Sequence, residues 1–290
     1  MKLITYKNGN KFRLGVIATD GSVFDFSEVG LEFYDMSDFV INRSENDLKK
    51  LKELSLKSGG LSYEKLEKCA AIITPRQDII CLGLNYMAHA AESYKYKNKE
   101  FDGKREEAVY FSKRVNEAVG DGGRIDPHSN LTSKLDYEVE LGVIIGKDAK
   151  NVSQKDAKEY IFGYTIINDI SARDIQNRHK QWYFGKSLDT STPMGPYIVT
   201  ADELDSSNLD IKSFVNGELR QSSNTSLMIF DESFVIAELS AGMSLKAGTI
   251  ISMGTPSGVG MGFEPPKFLK AGDEVVCEIE GIGTLRNYIC

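Results

Sequence analysis

The sequence has little of what a nucleic-acid-binding or membrane protein needs. Its 35 Lys and Arg are outnumbered by 42 Asp and Glu, for a net charge of -7, and no basic stripe offsets this balance. A phosphate backbone requires clustered positive charge, so we expect no nucleic-acid partner. No apolar run reaches the ~18 residues that span a bilayer. The N-terminus turns polar too soon for a signal peptide. We therefore expect a cytoplasmic protein with no membrane partner.

Cysteine is also scarce. The four cysteines, at positions 69, 81, 277 and 290, are scattered with no metal-type spacing. This pattern favours reduced thiols over a disulfide framework or a zinc site. The hydrophobic fraction of 41% is ordinary for a globular chain with a sizeable core.

The first 73 residues differ from the rest of the chain. Asn-Gly and Asp-Gly hairpin signals lie among short strands, and helical patches follow at 47–56 and 63–70. The residue before a proline is pushed out of helix, so Thr74-Pro75 marks a boundary. We predict a small N-terminal α+β domain over 1–73, which covers the larger domain or pairs subunits, and a second domain over 74–290.

The chemistry of the chain is concentrated in residues 135–176. Glu138 and Glu140 fall at alternate positions of a predicted strand, so they share one face. Two adjacent carboxylates repel when partly enclosed, and a divalent cation would hold both ionised. The wet face of an antiparallel strand explains these two residues equally simply, and it is the better interpretation from them alone.

A third carboxylate follows downstream. Residues 164–169 predict a second strand that ends at Asp169. Between the strands, Ser153 and Asp156 resemble a capping box that opens a short helix to Phe162, and Gly163 ends it. This path could return Asp169 beside the glutamates. Three carboxylates suit a hard cation, Mg²⁺ or Mn²⁺, with Ca²⁺ as an alternative.

A histidine and a glutamate precede a charge-rich segment. On a helix, His89 and Glu92 lie three apart on one face, as a general base and the carboxylate that orients it. A surface contact is the better interpretation on spacing alone. Residues 93–107 sustain no apolar face, so we expect them to be mobile without ligand, which suits a lid. A plain surface loop predicts the same composition.

Two further stretches allow ordinary explanations. Arg173 and Gln176 lie three apart and could face one ligand, since a guanidinium suits a carboxylate. Alone, Arg173 would be assigned to a surface ion pair with Asp174. The glycines of 254–262 lack a Gly-Lys-Ser/Thr ending and a following helix, so we reject nucleotide binding.

Taken together, these motifs resemble the fumarylacetoacetate hydrolase family. The resemblance covers about residues 79–285 and rests on segments in a fixed order: Gly83 to Tyr86 with His89 and Glu92, Asp136 to Leu141, Gly163 to Thr165, Asn168 to Gln176, Gly185 to Thr190, and Gly254 to Gly260. It implies a mixed α/β, β-rich fold, in which a β-roll or sandwich forms the catalytic domain beside the small N-terminal domain. It also implies a homodimer, as is common in the family.

The resemblance assigns a role to each candidate residue. It implies a metal held by Glu138, Glu140 and Asp169, and His89 with Glu92 on a closing lid. Lys186, which would otherwise pass for an exposed lysine, matches the active-site lysine of the family. Arg173, Gln176 and Thr255 match its substrate pocket.

The implied substrate is a small 2-oxo acid whose C1 carboxylate and C2 oxo oxygen chelate the metal. Cleavage of its C3–C4 bond leaves pyruvate enolate, which a dication and Lys186 would stabilise. His89 would activate the water that attacks C4 of an acylpyruvate, whereas oxaloacetate would lose CO₂ without that water.

Other activities stay open. Some relatives isomerise or decarboxylate hydroxylated dienedioates, or dehydrate sugar acids. Because fold does not fix function, a non-catalytic metal- and ligand-binding protein is a rival from another class. The joint presence of His89, Glu92 and Lys186 argues against it. The three carboxylates likewise disfavour a metal-free structural subunit.

Overall fold

The structure is a computed structural model that describes residues 1–104 and 107–290. Its strands, in chain order, are β1 (Lys2–Asn8), β2 (Lys11–Ile17), β3 (Ser22–Asp25), β4 (Leu61–Ser62), β5 (Glu67–Lys68), β6 (Ile79–Gly83), β7 (Val109–Lys113), β8 (Arg124–Ile125), β9 (Leu135–Asp136), β10 (Val139–Ile145), β11 (Ile161–Asn168), β12 (Ser171–Ala172), β13 (Met194–Thr200), β14 (Asp210–Val215), β15 (Glu218–Asn224), β16 (Ile250–Ser252), β17 (Glu274–Ile279) and β18 (Gly283–Ile289). The α-helices are α1 (Met36–Asn42), α2 (Glu45–Leu54), α3 (Met87–Tyr96), α4 (Arg173–Arg178), α5 (Tyr183–Lys186) and α6 (Glu232–Gly242).

Two large sheets organise most of these elements, and β9 and β12 form a separate antiparallel pair. The larger has the order β4-β3-β2-β1-β13-β11-β10-β16-β6-β7, with β5 also paired to β1, and the smaller has the order β15-β14-β17-β18-β8. One hydrophobic core joins Val139 and Leu141 of the large sheet to Ile211 and Leu285 of the small one. The sheets therefore stack as a sandwich, and the prediction of a mixed α/β, β-rich fold is confirmed.

The N-terminal unit continues the large sheet. Strand β1 pairs antiparallel with β13, with Leu3 opposite Ile198. A second core on this side packs Phe39 and Leu51 of α1 and α2 against Ile144 of β10. Covering the larger domain was one of the two roles expected for residues 1–73. The division of the chain at residue 74 stays a prediction.

The helix predicted at 63–70 is wrong. A 3₁₀ turn covers Tyr63–Lys65, and β5 then pairs with β1, with Lys68 opposite Tyr6. The stretch has too few apolar positions for a buried helical face, whereas the edge of β1 offers backbone partners. Pairing therefore prevails over local propensity.

The helix predicted to reach Phe162 is also wrong. A 3₁₀ helix spans Gln154–Tyr160, and Phe162 and Gly163 already belong to β11. The Ser153 hydroxyl donates to the Asp156 carboxylate at 2.6 Å instead of accepting from a backbone amide. A Cβ at Gly163 would lie 2.3 Å from the Val199 carbonyl oxygen, so this glycine allows close strand approach and does not end a helix.

Among the residues described, no helix is both long and apolar enough to cross a membrane.

Candidate active site

The register of β10 and β11 brings three carboxylates together. Val139 lies opposite Asn168, so the residue before β10, Glu138, lies beside the residue after β11, Asp169. The Asp169 amide donates to the Glu138 carbonyl at 2.9 Å. With Glu140, one oxygen from each carboxylate lies within 4.8 Å of the others, and all three residues are buried. Glu138 is thus placed just outside the strand in which the alternation put it.

Two cations neutralise part of this cluster. Lys186 Nζ lies 2.5 Å from Glu138 Oε2 and 2.6 Å from Asp169 Oδ2, and Arg173 Nη2 lies 2.7 Å from Glu138 Oε1. Burial opposes ionisation of Glu138, but Lys186 and Arg173 hold its pKa well below the usual value. Burial likewise opposes the charge of Lys186, but Asp169 and Glu138 raise its pKa, so it remains an ammonium.

Glu140 has a different environment. Its Oε2 accepts from the Ser252 hydroxyl at 2.6 Å and from the Gly254 amide at 3.0 Å, both neutral donors. Burial, then the charges of Asp169 and Glu138, raise its pKa well above the usual value. A bound dication would relieve this repulsion, and carboxylate oxygens are its preferred ligands. The donor set therefore fits a divalent cation.

A third buried cation, Lys113, could not be identified from the sequence pattern. Lys113, fully buried at the end of β7, lies 2.8 Å from Asp169 Oδ1 and donates to the Ile170 carbonyl at 3.1 Å. It also donates to the carbonyl oxygen of Lys186. The sequence offered one signal, a lysine that closes a strand beginning with three apolar or aromatic residues, Val109 to Phe111. Lys113 fixes Asp169 and the backbone of Lys186 from behind the cluster.

Helix α3 carries His89 and Glu92 over the carboxylates. The His89 ring is 4% exposed, and its Nδ1 lies 3.0 Å from Glu92 Oε2. Glu92 Oε1 accepts from the Gly258 amide at 3.0 Å. Opening of this helix stays a prediction. The proposed lid segment 93–107 includes Arg105 and Glu106, which lie outside the described residues.

Most of the predicted residues line one small cavity of about 20 Å³, room for about one water molecule. Its lining includes His89, Glu138, Glu140, Arg173, Gln176, Lys186 and Thr255. Glu92 and Asp169 are not part of this lining but contact the lining residues His89 and Lys186. A larger groove of about 490 Å³ beside Phe12 and Phe33 contains none of them. A molecule larger than water does not fit the small cavity as it stands, and helix α3 contributes His89 and Ser93 to its lining.

Three lining side chains already have partners. Gln176 Oε1 accepts from Arg173 Nη1 at 3.1 Å. The Thr255 hydroxyl donates to the Val139 carbonyl at 2.9 Å and accepts from Gln221 Nε2 at 2.7 Å. Trp182 also lines the cavity. A Cβ at Gly83 would lie 2.4 Å from the Trp182 ring, so the lack of a side chain at Gly83 leaves room for the indole.

Known proteins share this architecture. A family model described as the C-terminal domain of fumarylacetoacetate (FAA) hydrolase matches residues 78–290. The oxaloacetate tautomerase YisK of Bacillus subtilis (strain 168) is 40% identical over the full length of both chains. The structure of a fumarylacetoacetate hydrolase from Exiguobacterium antarcticum superposes with a TM-score of 0.85 at 36% identity, covering 100% of this chain and 99% of that one. The maleylpyruvate hydrolase of Sphingobium sp. SYK-6, in complex with manganese(II) and pyruvate, has a TM-score of 0.78 at 28% identity, over 100% and 98% of the two chains.

Proposed function

Because the chain belongs to the fumarylacetoacetate hydrolase family, we propose that it converts a small 2-oxo acid through an enolate in a metal-dependent reaction. The observation that carries this proposal is a cluster of three buried carboxylates in contact with a cationic lysine, beside a His-Glu pair, at one small cavity lined by Glu138, Glu140, Lys186 and His89. The 40% identical oxaloacetate tautomerase and the manganese- and pyruvate-containing maleylpyruvate hydrolase structure support this substrate class.

The cation is held by Glu138, Glu140 and Asp169 in this proposal. When bound, Mg²⁺ or Mn²⁺ supplies Lewis-acid stabilisation of negative charge that develops on the C2 oxygen. Lys186, kept cationic by its carboxylate neighbours, donates a hydrogen bond to that oxygen. Arg173 and Gln176 orient the C1 carboxylate, for which a guanidinium is the best-matched donor.

The His89–Glu92 pair supplies the proton chemistry. Glu92 holds Nδ1, which favours the tautomer with its proton there and leaves Nε2 as the base. For an acylpyruvate, Nε2 takes a proton from the water that attacks C4, and the C3–C4 electron pair becomes the enolate. For oxaloacetate, CO₂ leaves without water, and His89 takes its proton from solvent instead. In either route the imidazolium then donates that proton to C3 of the enolate. Both routes release pyruvate.

A second candidate is keto–enol exchange of oxaloacetate, favoured by the identity to an oxaloacetate tautomerase. The same base would remove a proton from C3 while the C2 oxygen takes one from solvent, the reverse steps would restore the ketone, and no carbon–carbon bond would break. The two candidates share the cation, Lys186 and His89. They differ only in the fate of the C3–C4 bond, so product analysis separates them.

The test combines acetylpyruvate and oxaloacetate with Mg²⁺, Mn²⁺ or EDTA. Pyruvate is measured by coupled lactate dehydrogenase, and enol oxaloacetate by its ultraviolet absorbance. Metal-only blanks correct for spontaneous decarboxylation. We expect turnover of at least one substrate that EDTA abolishes. Absence of metal-dependent turnover of both would contradict the proposal.

Lys186→Met should lower kcat by about 10²–10³-fold, the typical cost of one oxyanion donor, and change KM less. Its charge matters most as the enolate forms, while methionine keeps the side-chain length. Steady-state kinetics on the preferred substrate would check this. Lys180→Met, at an exposed lysine on the same segment, is the matched control. A change in KM alone would make Lys186 a binding residue only.

We also expect a homodimer, as the family resemblance implies, and a cytoplasmic location, as the composition predicts. Sedimentation velocity on the purified protein would test the oligomeric state. A mass of one chain at all concentrations would contradict it.

A further inference from the structure

The loop of residues 258–262 binds two of the protein's own carboxylates. The Gly258 amide donates to Glu92 Oε1 at 3.0 Å. The amides of Gly260 and Met261 donate to the two oxygens of Asp136 at 2.6 and 3.0 Å. The glycine-rich motif that cannot bind a nucleotide thus binds anions supplied by the chain itself.

Its glycines make these contacts sterically feasible. Gly258 has φ +101°, and a Cβ there would lie 2.0 Å from the Arg220 carbonyl oxygen. A Cβ at Gly260 would lie 2.6 Å from Asp136 Oδ1, and one at Gly262 would lie 1.8 Å from Glu92 Oε1. Side chains at the last two positions would push both carboxylates away. The loop is therefore shaped for Glu92 and Asp136 at the same time.

Asp136 connects this loop to the substrate side of the cavity. It is fully buried and accepts from Arg173 Nε at 2.8 Å. The same guanidinium reaches Glu138 Oε1 at 2.7 Å and Gln176 Oε1 at 3.1 Å. A continuous path of charge-assisted hydrogen bonds thus runs from Glu92, through the loop and Asp136, to Arg173.

We propose that Asp136 is a positioning residue that couples docking of helix α3 to the orientation of Arg173. The inference rests on the proposed function in one respect, that Arg173 binds the carboxylate of the ligand. A ligand that fixes Arg173 fixes Asp136, which holds the loop with the Gly258 amide directed at Glu92. The coupling is reciprocal, so a docked helix tightens ligand binding by the same factor.

Trp182 is a built-in reporter of docking. It is the only tryptophan of the chain and lines the cavity. Lys97, the residue at the C-terminal cap of α3, places its Nζ 5.6 Å from the centroid of the Trp182 ring. Docking of α3 should therefore shield Trp182 from acrylamide. Oxalate with Mg²⁺ is the probe, since it resembles pyruvate enolate and is not turned over.

The experiment is a double-mutant cycle with Asp136→Asn and Glu92→Gln. Asp136→Asn alters the Arg173 end, Glu92→Gln alters the helix end, and the loop lies between them. We expect each variant to weaken oxalate binding and to reduce shielding of Trp182. Each single variant lowers oxalate affinity by some factor, and independent sites would multiply these two factors in the double variant. We expect the measured factor in the double variant to be smaller than that product by about 5–150-fold, the usual range of coupling between sites.

Asp174→Asn is the matched control. Asp174 neighbours Arg173 in the chain but accepts from the Thr132 hydroxyl at 2.5 Å and does not contact the loop. We expect this variant to bind oxalate and shield Trp182 like the parent. Single losses that simply multiply in the double variant would overturn the proposal. So would normal shielding of Trp182 in Asp136→Asn.

A second variant covers the case in which Asp136→Asn does not fold. Gly262→Ala keeps Asp136 but places a Cβ against the Glu92 carboxylate. Gly242→Ala is its control, because a Cβ there has no atom within 4 Å. We expect Gly262→Ala alone to lose shielding and oxalate affinity. Unchanged oxalate affinity in Gly262→Ala would overturn the coupling. These readouts need no turnover, so coupling without turnover contradicts only the proposed function, and turnover without coupling contradicts only this inference.

Discussion

Replacing Glu140 with glutamine is expected to abolish metal-dependent stabilisation and turnover without lowering stability in EDTA. The amide oxygen can still accept from Ser252 and Gly254, so the neutral contacts of this position survive. The carboxylate charge is opposed by burial and by two like charges, which its raised pKa reflects. When no cation is bound, removing the charge of Glu140 therefore costs little folding stability. With a cation, it removes one of three ligands.

Thermal and denaturant unfolding with EDTA, Mg²⁺ or Mn²⁺ would check this result. The parent should gain about 2.7 kcal/mol at a metal concentration 100 times Kd, and the variant should gain almost none. Glu232→Gln is the control, a buried glutamate that contacts Ser206 away from the cluster. An equal gain in Glu140→Gln and the parent would contradict the ligand assignment.

Replacing His89 with alanine is expected to reduce acylpyruvate hydrolysis by ~10²–10⁴-fold, the usual worth of a positioned general base. Decarboxylation of oxaloacetate needs no activated water, so His89→Ala should lower the rate of this reaction by a smaller factor. Oxalate inhibition should persist, because the carboxylates, Arg173 and Lys186 are untouched. The measurement is kcat for both substrates together with the inhibition constant of oxalate.

A second histidine, His179, offers a control for this variant. His179 is exposed, and its ring packs edge-on to Phe184 at 5.8 Å, so His179→Ala should keep both activities. Hydrolysis at the parent rate in His89→Ala would remove His89 from the mechanism. Equal losses in both reactions would instead indicate that His89 acts in enolate protonation or in closing the cavity.

Much of the candidate site could be predicted from local pattern. The alternation of Glu138 and Glu140 places both on one side of the chain. Asp169 comes directly after β11, the strand that follows β10 after a short connection and pairs with it. These residues lie close in sequence, so periodicity and strand order suffice to bring them together. The family resemblance supplied the roles of Lys186 and His89, which spacing alone would have assigned to the surface.

The remaining parts depend on contacts between distant segments. Lys113 reaches Asp169 from a different strand, and Asp136 meets the loop of residues 258–262 across 124 positions of the chain. No local period encodes such contacts. The wrong prediction of a helix at 63–70 has the same cause, because pairing with the distant strand β1 determines the conformation of this stretch.

The pairing of β1 with β13 has a practical consequence for truncation. Removing the N-terminal residues would leave β13, whose seven residues are all buried, as an open edge. An unprotected apolar edge is a template for intermolecular strand pairing. A shortened chain beginning at the predicted boundary should therefore aggregate instead of yielding an autonomous catalytic fragment, because the first strand is what protects this edge from pairing with other molecules.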